Sequence, residues 1–189
     1  RRLAVLMGGE CGAESTTDRG STFWFTARVQ RGCSNTAHAS AHTDAEAVIA
    51  TLTERYAKLP VLIVEDEPIN REISQEILST VFQRIDLAED GLQAVAMAAR
   101  ENYGLILMDM QMPGLDGPAA TGRIRQLPRH RQTPIIAMTA NAFAEDKARC
   151  LSAGMNDFIS KPVFPEHLFA IILAALDKLD ADNAGLQES

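Results

Sequence analysis

The feature that most constrains this chain is a regular alternation that begins at Pro60. Five short apolar runs, "VLIV" (61–64), "RIDLA" (84–88), "LILMD" (105–109), "PIIAMT" (134–139) and "DFIS" (157–160), are separated by helix-patterned stretches near 69–82, 91–101, 117–127 and 143–153. A last helix follows Pro165, a residue favoured in the first turn. Along it Leu168, Ile171, Ile172, Ala175, Leu176 and Leu179 recur at helical spacing. Strands alternating with helices predict a parallel sheet wrapped on both faces, an α/β doubly wound fold. The first, third and fourth runs are apolar almost throughout, as central parallel strands buried on both faces require.

In open sheets of this kind, ligands bind beyond the carboxyl ends of the strands. The polar residues of interest fall at those ends. The first run ends in Glu65-Asp66-Glu67, the third in Asp109 and the fourth in Thr139, while Lys161-Pro162 follows the fifth. Two carboxylates about 4 Å apart repel by about 4 kcal/mol at an effective dielectric near 20, so clustered acids demand protons or a cation. An oxygen-only donor set suits Mg²⁺, and with no His or Cys in it zinc is disfavoured. A metal, an ammonium and a hydroxyl together form a cradle for a phosphoryl group. Asp109 then has the chemistry of a nucleophile, because carboxylates form acyl phosphates.

With these residues in view, 60–179 resembles the receiver domain of two-component response regulators. The matching pieces are "VLIVEDEPIN", "LILMDMQMPGLDG", "IIAMTANA" and "GMNDFISKP". The resemblance implies a flavodoxin-like (βα)5 receiver with strand order 2-1-3-4-5. It implies Asp109 as phosphoacceptor, and Mg²⁺ on Asp66, Asp109 and the backbone carbonyl of Gln111 with Glu65 assisting. Thr139 and Lys161 would contact the phosphoryl oxygens, and Phe158 stands at the aromatic switch position. A cis Lys161-Pro162 bond is expected. Many members carry Asp where this chain has Glu65; Glu is common in receivers attached to kinases. The first helix of the alternation, with Ile69, Ile73 and Ile77, is the expected docking face for a histidine kinase phosphodonor domain and a histidine phosphotransfer domain.

The N-terminal piece, "RRLAVLMGGECGAESTTDRGSTFWFTARV", reads as a helix end stopped at Gly8-Gly9 and then a hairpin. It resembles the last helix and hairpin of a histidine-kinase ATPase domain, so residues 1–31 are expected to be that domain's remnant. Residues 32–59 read as a linker, small and polar to about Ala45, with room for a short helix, and 180–189 as a disordered tail. No glycine-rich nucleotide loop or phosphoacceptor-histidine motif is visible. His38 and His42 fall in the linker, His130 in a loop and His167 in the first turn of the last helix. The expected parent is a hybrid sensor kinase, and this piece alone is expected neither to bind ATP nor to autophosphorylate.

A formal charge of −7 argues against a generally basic surface for nucleic acid or anionic membrane. Three widely spaced cysteines, Cys11, Cys33 and Cys150, form no CxxC pair and fit a reducing cytoplasm. No apolar run approaches the roughly 18 residues of a membrane span. Several residues have plainer readings. Asp116, before Gly117, is a helix N-cap candidate, and Asn70 a second one. Met108, Met110 and Met112 read as packing, Cys150 as a helix residue, and Phe169 and Leu173 as core or partner surface. Two other functions stay open: an interaction module that takes no phosphate and regulates the kinase, and an Asp-nucleophile phosphatase. The second expects another acid two residues after the nucleophile, where this chain has Gln111.

Overall fold

The computed structural model describes residues 8–16, 20–28, 38–140 and 144–187. The chain forms two compact units, Arg1–His38 and Ala39–Ser189.

The first unit contains an antiparallel pair, β1 (Cys11–Thr16) and β2 (Gly20–Phe25), with Gly12 opposite Trp24. Gly12 is required there: a Cβ would come within 2.5 Å of the Trp24 ring. Alternation sends Phe23 and Phe25 to the opposite face, where they are 81% and 72% exposed. Gly8 adopts φ 68°, the conformation of a helix-stopping glycine; the expected helix before it and the turn at 17–19 lie outside the described residues.

The second unit begins with helix α1 (His38–Tyr56) and continues β3 (Val61–Val64), α2 (Pro68–Ser79), β4 (Ile85–Ala88), α3 (Gly91–Arg100) and β5 (Leu105–Asp109). Then follow α4 (Gly117–Gln126), a 3₁₀ turn (Pro128–His130), β6 (Ile135–Thr139), α5 (Ala144–Ser152), β7 (Asp157–Ser160) and α6 (Pro165–Gln187). The five strands β3–β7 pair in parallel in the order β4-β3-β5-β6-β7. Numbered within the sheet this is 2-1-3-4-5, the predicted doubly wound arrangement.

Strand alternation builds two cores, one on each face. Leu62, Val64, Ile106, Met108, Ile135 and Ala137 point to the side of α3, α4 and Cys150. Val61, Ile63, Leu105, Leu107, Ile136 and Met138 point to the other, where Leu52, Leu78, Leu168, Phe169 and Ile172 meet them. Phe169 and Leu173 therefore belong to the core side of α6.

Three local expectations are corrected. First, helix α1 starts at His38, inside the stretch read as linker. Inside the helix three of those small residues, Ala39, Ala41 and Ala45, are alanines, the best helix formers. Val48, Ile49, Leu52 and Tyr56 pack into the second core, and Arg55 holds Asp177 and Asp180 of α6 at 2.6 and 3.0 Å. Second, α6 is helical through Gln187, so the tail beginning at Asp180 is not a coil. Asp180 also accepts the Tyr56 hydroxyl at 2.6 Å, which ties this last part of the helix to α1. Third, Asn70 caps nothing: Glu67 is the N-cap residue of α2, and the Asn70 amide turns to Glu65 instead. Asp116 is the N-cap of α4 as predicted, accepting from Ala119 N at 2.9 Å.

Candidate functional site

The sheet delivers the polar residues to one edge. Its ladder runs to the last usable bond in each strand: Glu65 N donates to Ala88 O, Met110 N to Met138 O, and Lys161 N to Thr139 O. The side chains that follow are free of the sheet yet still anchored by it. Gly117 lets α4 start directly against β5; a Cβ there would sit 2.1 Å from the Asp109 carbonyl oxygen. The Lys161-Pro162 bond is cis.

These anchors bring Lys161 Nζ to 2.8 Å from Asp109 Oδ2 and 2.6 Å from Glu65 Oε2. The Glu65 and Asp109 side chains are only 1% and 7% exposed, and Lys161 is 21% exposed. The second Glu65 oxygen accepts from Asn70 Nδ2 at 3.2 Å, and Asp109 Oδ1 accepts from the Gln111 main-chain N–H at 3.1 Å. Asp66 lies beside them: one oxygen from each of Glu65, Asp66 and Asp109 falls within 4.8 Å of the others.

Lys161 pairs with two of the three carboxylates, so acidic groups outnumber the ammonium in the cluster. Burial raises the Glu65 pKa, and the nearby Asp109 charge adds to this against the opposing pull of Lys161 and Asn70. Burial alone would lower the Lys161 pKa, but the bonds to Asp109 and Glu65 outweigh it and raise it. The ammonium is thereby locked in its charged form. Three hard oxygen donors, with no His or Cys, are the chemistry of a Mg²⁺ or Ca²⁺ site, and Mg²⁺ needs few carboxylates because it keeps waters. The residues fit such an ion.

A cleft of 370 Å³ opens beside the cluster, lined by Glu65, Asn70, Ile73, Ser74, Lys161 and Val163 among others. Thr139 is buried at the end of β6. Phe158 is half-buried on β7, paired with Ala137 and packed against the first core. The three isoleucines of α2 divide. Ile69 and Ile73 are 65% and 47% exposed, whereas Ile77 packs on the second core. The structure thus brings Glu65, Asp66, Asp109, Gln111 and Lys161 together, and it sets Ile73 at the mouth of the same cleft. One participant escapes sequence reasoning. Arg71 donates from Nη1 to the Glu65 carbonyl at 2.8 Å, and in the sequence it is one more basic residue on a helix.

The response regulator receiver domain model matches residues 61–173. The chain is 39% identical over 132 residues to the signal transduction histidine-protein kinase BarA of Shigella flexneri, covering 70% of this chain and 14% of that protein. It is 34% identical over 189 residues to the hybrid signal transduction histidine kinase K of Dictyostelium discoideum, covering 93% of this chain and 15% of that protein. The chain thus spans about one-seventh of the length of these relatives. Among solved structures, the receiver domain of a Pseudomonas aeruginosa sensor histidine kinase is 42% identical with a TM-score of 0.60, covering 64% of this chain and 99% of that one. That structure has a magnesium ion coordinated in its active-site cleft. The chemotaxis protein CheY4 of Vibrio cholerae, 27% identical, superposes with a TM-score of 0.61 over 64% of this chain and all of that one. With residues 61–173 matched, this chain belongs to the response regulator receiver domain family.

Proposed function

We propose that this chain is the phosphoacceptor module of a two-component phosphorelay. Asp109 takes a phosphoryl group from a histidine of a kinase phosphodonor domain and passes it to a histidine phosphotransfer domain. The observation that carries this reading is the Lys161 ammonium bridging the buried carboxylates of Asp109 and Glu65 at 2.8 and 2.6 Å. A buried carboxylate paired with an ammonium and aimed at the open edge of the sheet is a prepared nucleophile.

In the transfer, an Asp109 oxygen forms a bond to phosphorus as the bond from phosphorus to the donor imidazole nitrogen breaks. The imidazole leaves with the electron pair and takes up a proton. Lys161 moves from the free carboxylate to a phosphoryl oxygen, and the Thr139 hydroxyl donates to another. Asp66, Asp109 and the Gln111 carbonyl would hold Mg²⁺, with Glu65 assisting; the ion would neutralise charge on the phosphoryl oxygens. Phosphorylation then biases a two-state equilibrium through Thr139 and Phe158. Ile69 and Ile73, both exposed on α2 with Ile73 lining the cleft, form the docking face for both partners, and Ile77 supports them from the core.

We also infer that residues 60–179 are the receiver proper and residues 1–31 the end of a kinase ATPase domain, in a hybrid kinase whose receiver works in the cytoplasm. The alignment with the Dictyostelium hybrid kinase supports this, since it takes in 93% of the chain, more than residues 61–173 account for. Among the described residues no helix is long and apolar enough to cross a membrane.

The test is labelling with acetyl phosphate and Mg²⁺, read as an acid-stable, base-labile shift on a phosphate-affinity gel. The parent is expected to shift and Asp109→Asn to stay unshifted. Absence of an adduct on the parent would leave the chain as an interaction module; equal labelling of Asp109→Asn would remove Asp109 from the role.

A further inference from the structure

We infer that Arg71 is a positioning residue for the acidic turn, holding the main chain of Glu65 and Asp66 so that their carboxylates can share a cation with Asp109. The inference rests on the metal-site reading above and adds a residue which that reading does not contain.

The sheet ladder ends at Glu65, whose N–H makes the last bond, to Ala88. The next carbonyls, of Glu65 and Asp66, lie beyond the ladder on the way into α2. A main-chain carbonyl leaving a sheet next to a buried side chain needs a donor. Arg71, one turn into α2, supplies it. Its Nη1 lies 2.8 Å from the Glu65 carbonyl and 3.4 Å from that of Asp66. Its Nη2 lies 3.4 Å from Glu89 Oε1, on the loop after β4. An arginine on an outer helix face normally extends into water, yet this side chain is only 14% exposed. The planar guanidinium therefore braces two neighbouring strand-end loops, a task that suits its fixed fork of donors.

Asn70 and Arg71 divide the work on Glu65. Asn70 donates to the carboxylate and Arg71 to the carbonyl of the same residue. Side chain and main chain are fixed from consecutive positions of one helical turn. The Glu89 limb is the weaker one: that carboxylate is 69% exposed, so the pair is screened by water. The carbonyl limb carries the effect.

Loss of the guanidinium frees the turn and spreads the three carboxylates, which lowers cation affinity more than it lowers chemistry at saturating cation. Titration calorimetry with Mg²⁺ alone is the direct readout. Arg71→Ala is expected to weaken Mg²⁺ binding about tenfold, with maximal acetyl-phosphate labelling at saturating Mg²⁺ within about threefold of the parent. Arg71→Lys, with one point charge in place of the fork, is expected to recover part of the affinity, and Glu89→Gln to change it less than twofold. Amide hydrogen exchange at Glu65 and Arg71, whose N–H groups bond Ala88 O and Glu67 O on either side of the turn, is expected to speed up in Arg71→Ala without metal. A folded Arg71→Ala with parental Mg²⁺ affinity and parental exchange would overturn the inference. If Arg71→Ala does not fold, Arg71→Lys decides by the same two measurements. A parent that takes no Mg²⁺ would sink the metal-site reading instead, and the metal-free exchange comparison would still decide whether Arg71 holds the turn.

Discussion

Lys161 Nζ lies 2.8 Å from Asp109 Oδ2, although 52 residues separate the two in sequence. Glu65 shares the same ammonium. The three residues form one electrostatic unit, and removing its cation has two opposite effects. Lys161→Ala leaves buried carboxylates unpaired, which is expected to lower stability by about 1–3 kcal/mol in metal-free urea denaturation. Removal of a neighbouring positive charge does not weaken a site for a second cation. Mg²⁺ binding is therefore expected to be undiminished while acetyl-phosphate labelling falls more than tenfold. Parallel loss of Mg²⁺ binding would show instead that the lysine shapes the metal site.

Two glycines of α4 give contrasting outcomes. A Cβ on Gly117 would meet the Asp109 carbonyl oxygen at 2.1 Å, while one on Gly122 meets nothing within 4 Å. Gly117→Ala is expected to cost about 1–3 kcal/mol by overpacking and to reduce labelling, because the clash falls on the main chain of Asp109 itself. Gly122→Ala is expected to add about 0.5–1 kcal/mol through helix propensity, with labelling unchanged. Thermal denaturation and the phosphate-affinity gel separate the pair.

Helix α1 contributes to the second core through Leu52, which is fully buried, and to the surface through Arg55. Leu52→Ala is expected to cost about 2–5 kcal/mol. Arg55→Ala, which breaks solvent-exposed ion pairs to Asp177 and Asp180, is expected to cost far less, because water screens such pairs. Urea denaturation of the two variants checks whether α1 is an integral part of the domain; a Leu52→Ala loss below that of Arg55→Ala would mean it is an appendage.

The chain has two tyrosines, and both resist ionisation. Burial raises each pKa, and hydrogen bonds to Asp180 for Tyr56 and to Asp86 for Tyr103 raise it further. An unfolded tyrosine ionises near pH 10, so these groups contribute stability that is intact below about pH 10 and is lost as pH rises above it. Ultraviolet titration of the folded protein is expected to show little tyrosinate just above pH 10, with both groups ionising once urea is added. Tyr103→Phe should flatten the alkaline loss of stability; an unchanged slope would exclude its role.

The site was legible because its logic is local at each strand. An apolar run that ends in an acid, a hydroxyl or a lysine announces a strand whose last residue faces an open edge, and Glu65, Asp109, Thr139 and Lys161 each sit there. Alternation alone implies a parallel, doubly wound sheet; the strand order 2-1-3-4-5 follows from the receiver resemblance. What the sequence concealed depends on contacts between distant segments. Arg71 reaches main-chain carbonyls, which carry no sequence identity. His130, read as a loop residue, is fully buried, with Nε2 2.9 Å from the Ala98 carbonyl and Nδ1 3.1 Å from Thr133 Oγ1. Only a short helix is legible before Pro60, because the small polar residues from His38 to Ala45 suit a coil as well as a helix; α1 begins at His38, and its Leu52 and Arg55 meet the core and α6.

The carboxylates of Glu65, Asp66 and Asp109 come from segments that meet only when the sheet has formed. An unfolded chain offers no such chelate. By linkage, a cation held there stabilises the native state by RT ln(1 + [L]/Kd), about 2.7 kcal/mol at a hundredfold excess over Kd. The melting temperature is thus a gauge of site occupancy, and any segment whose displacement scatters these carboxylates lowers both readings together.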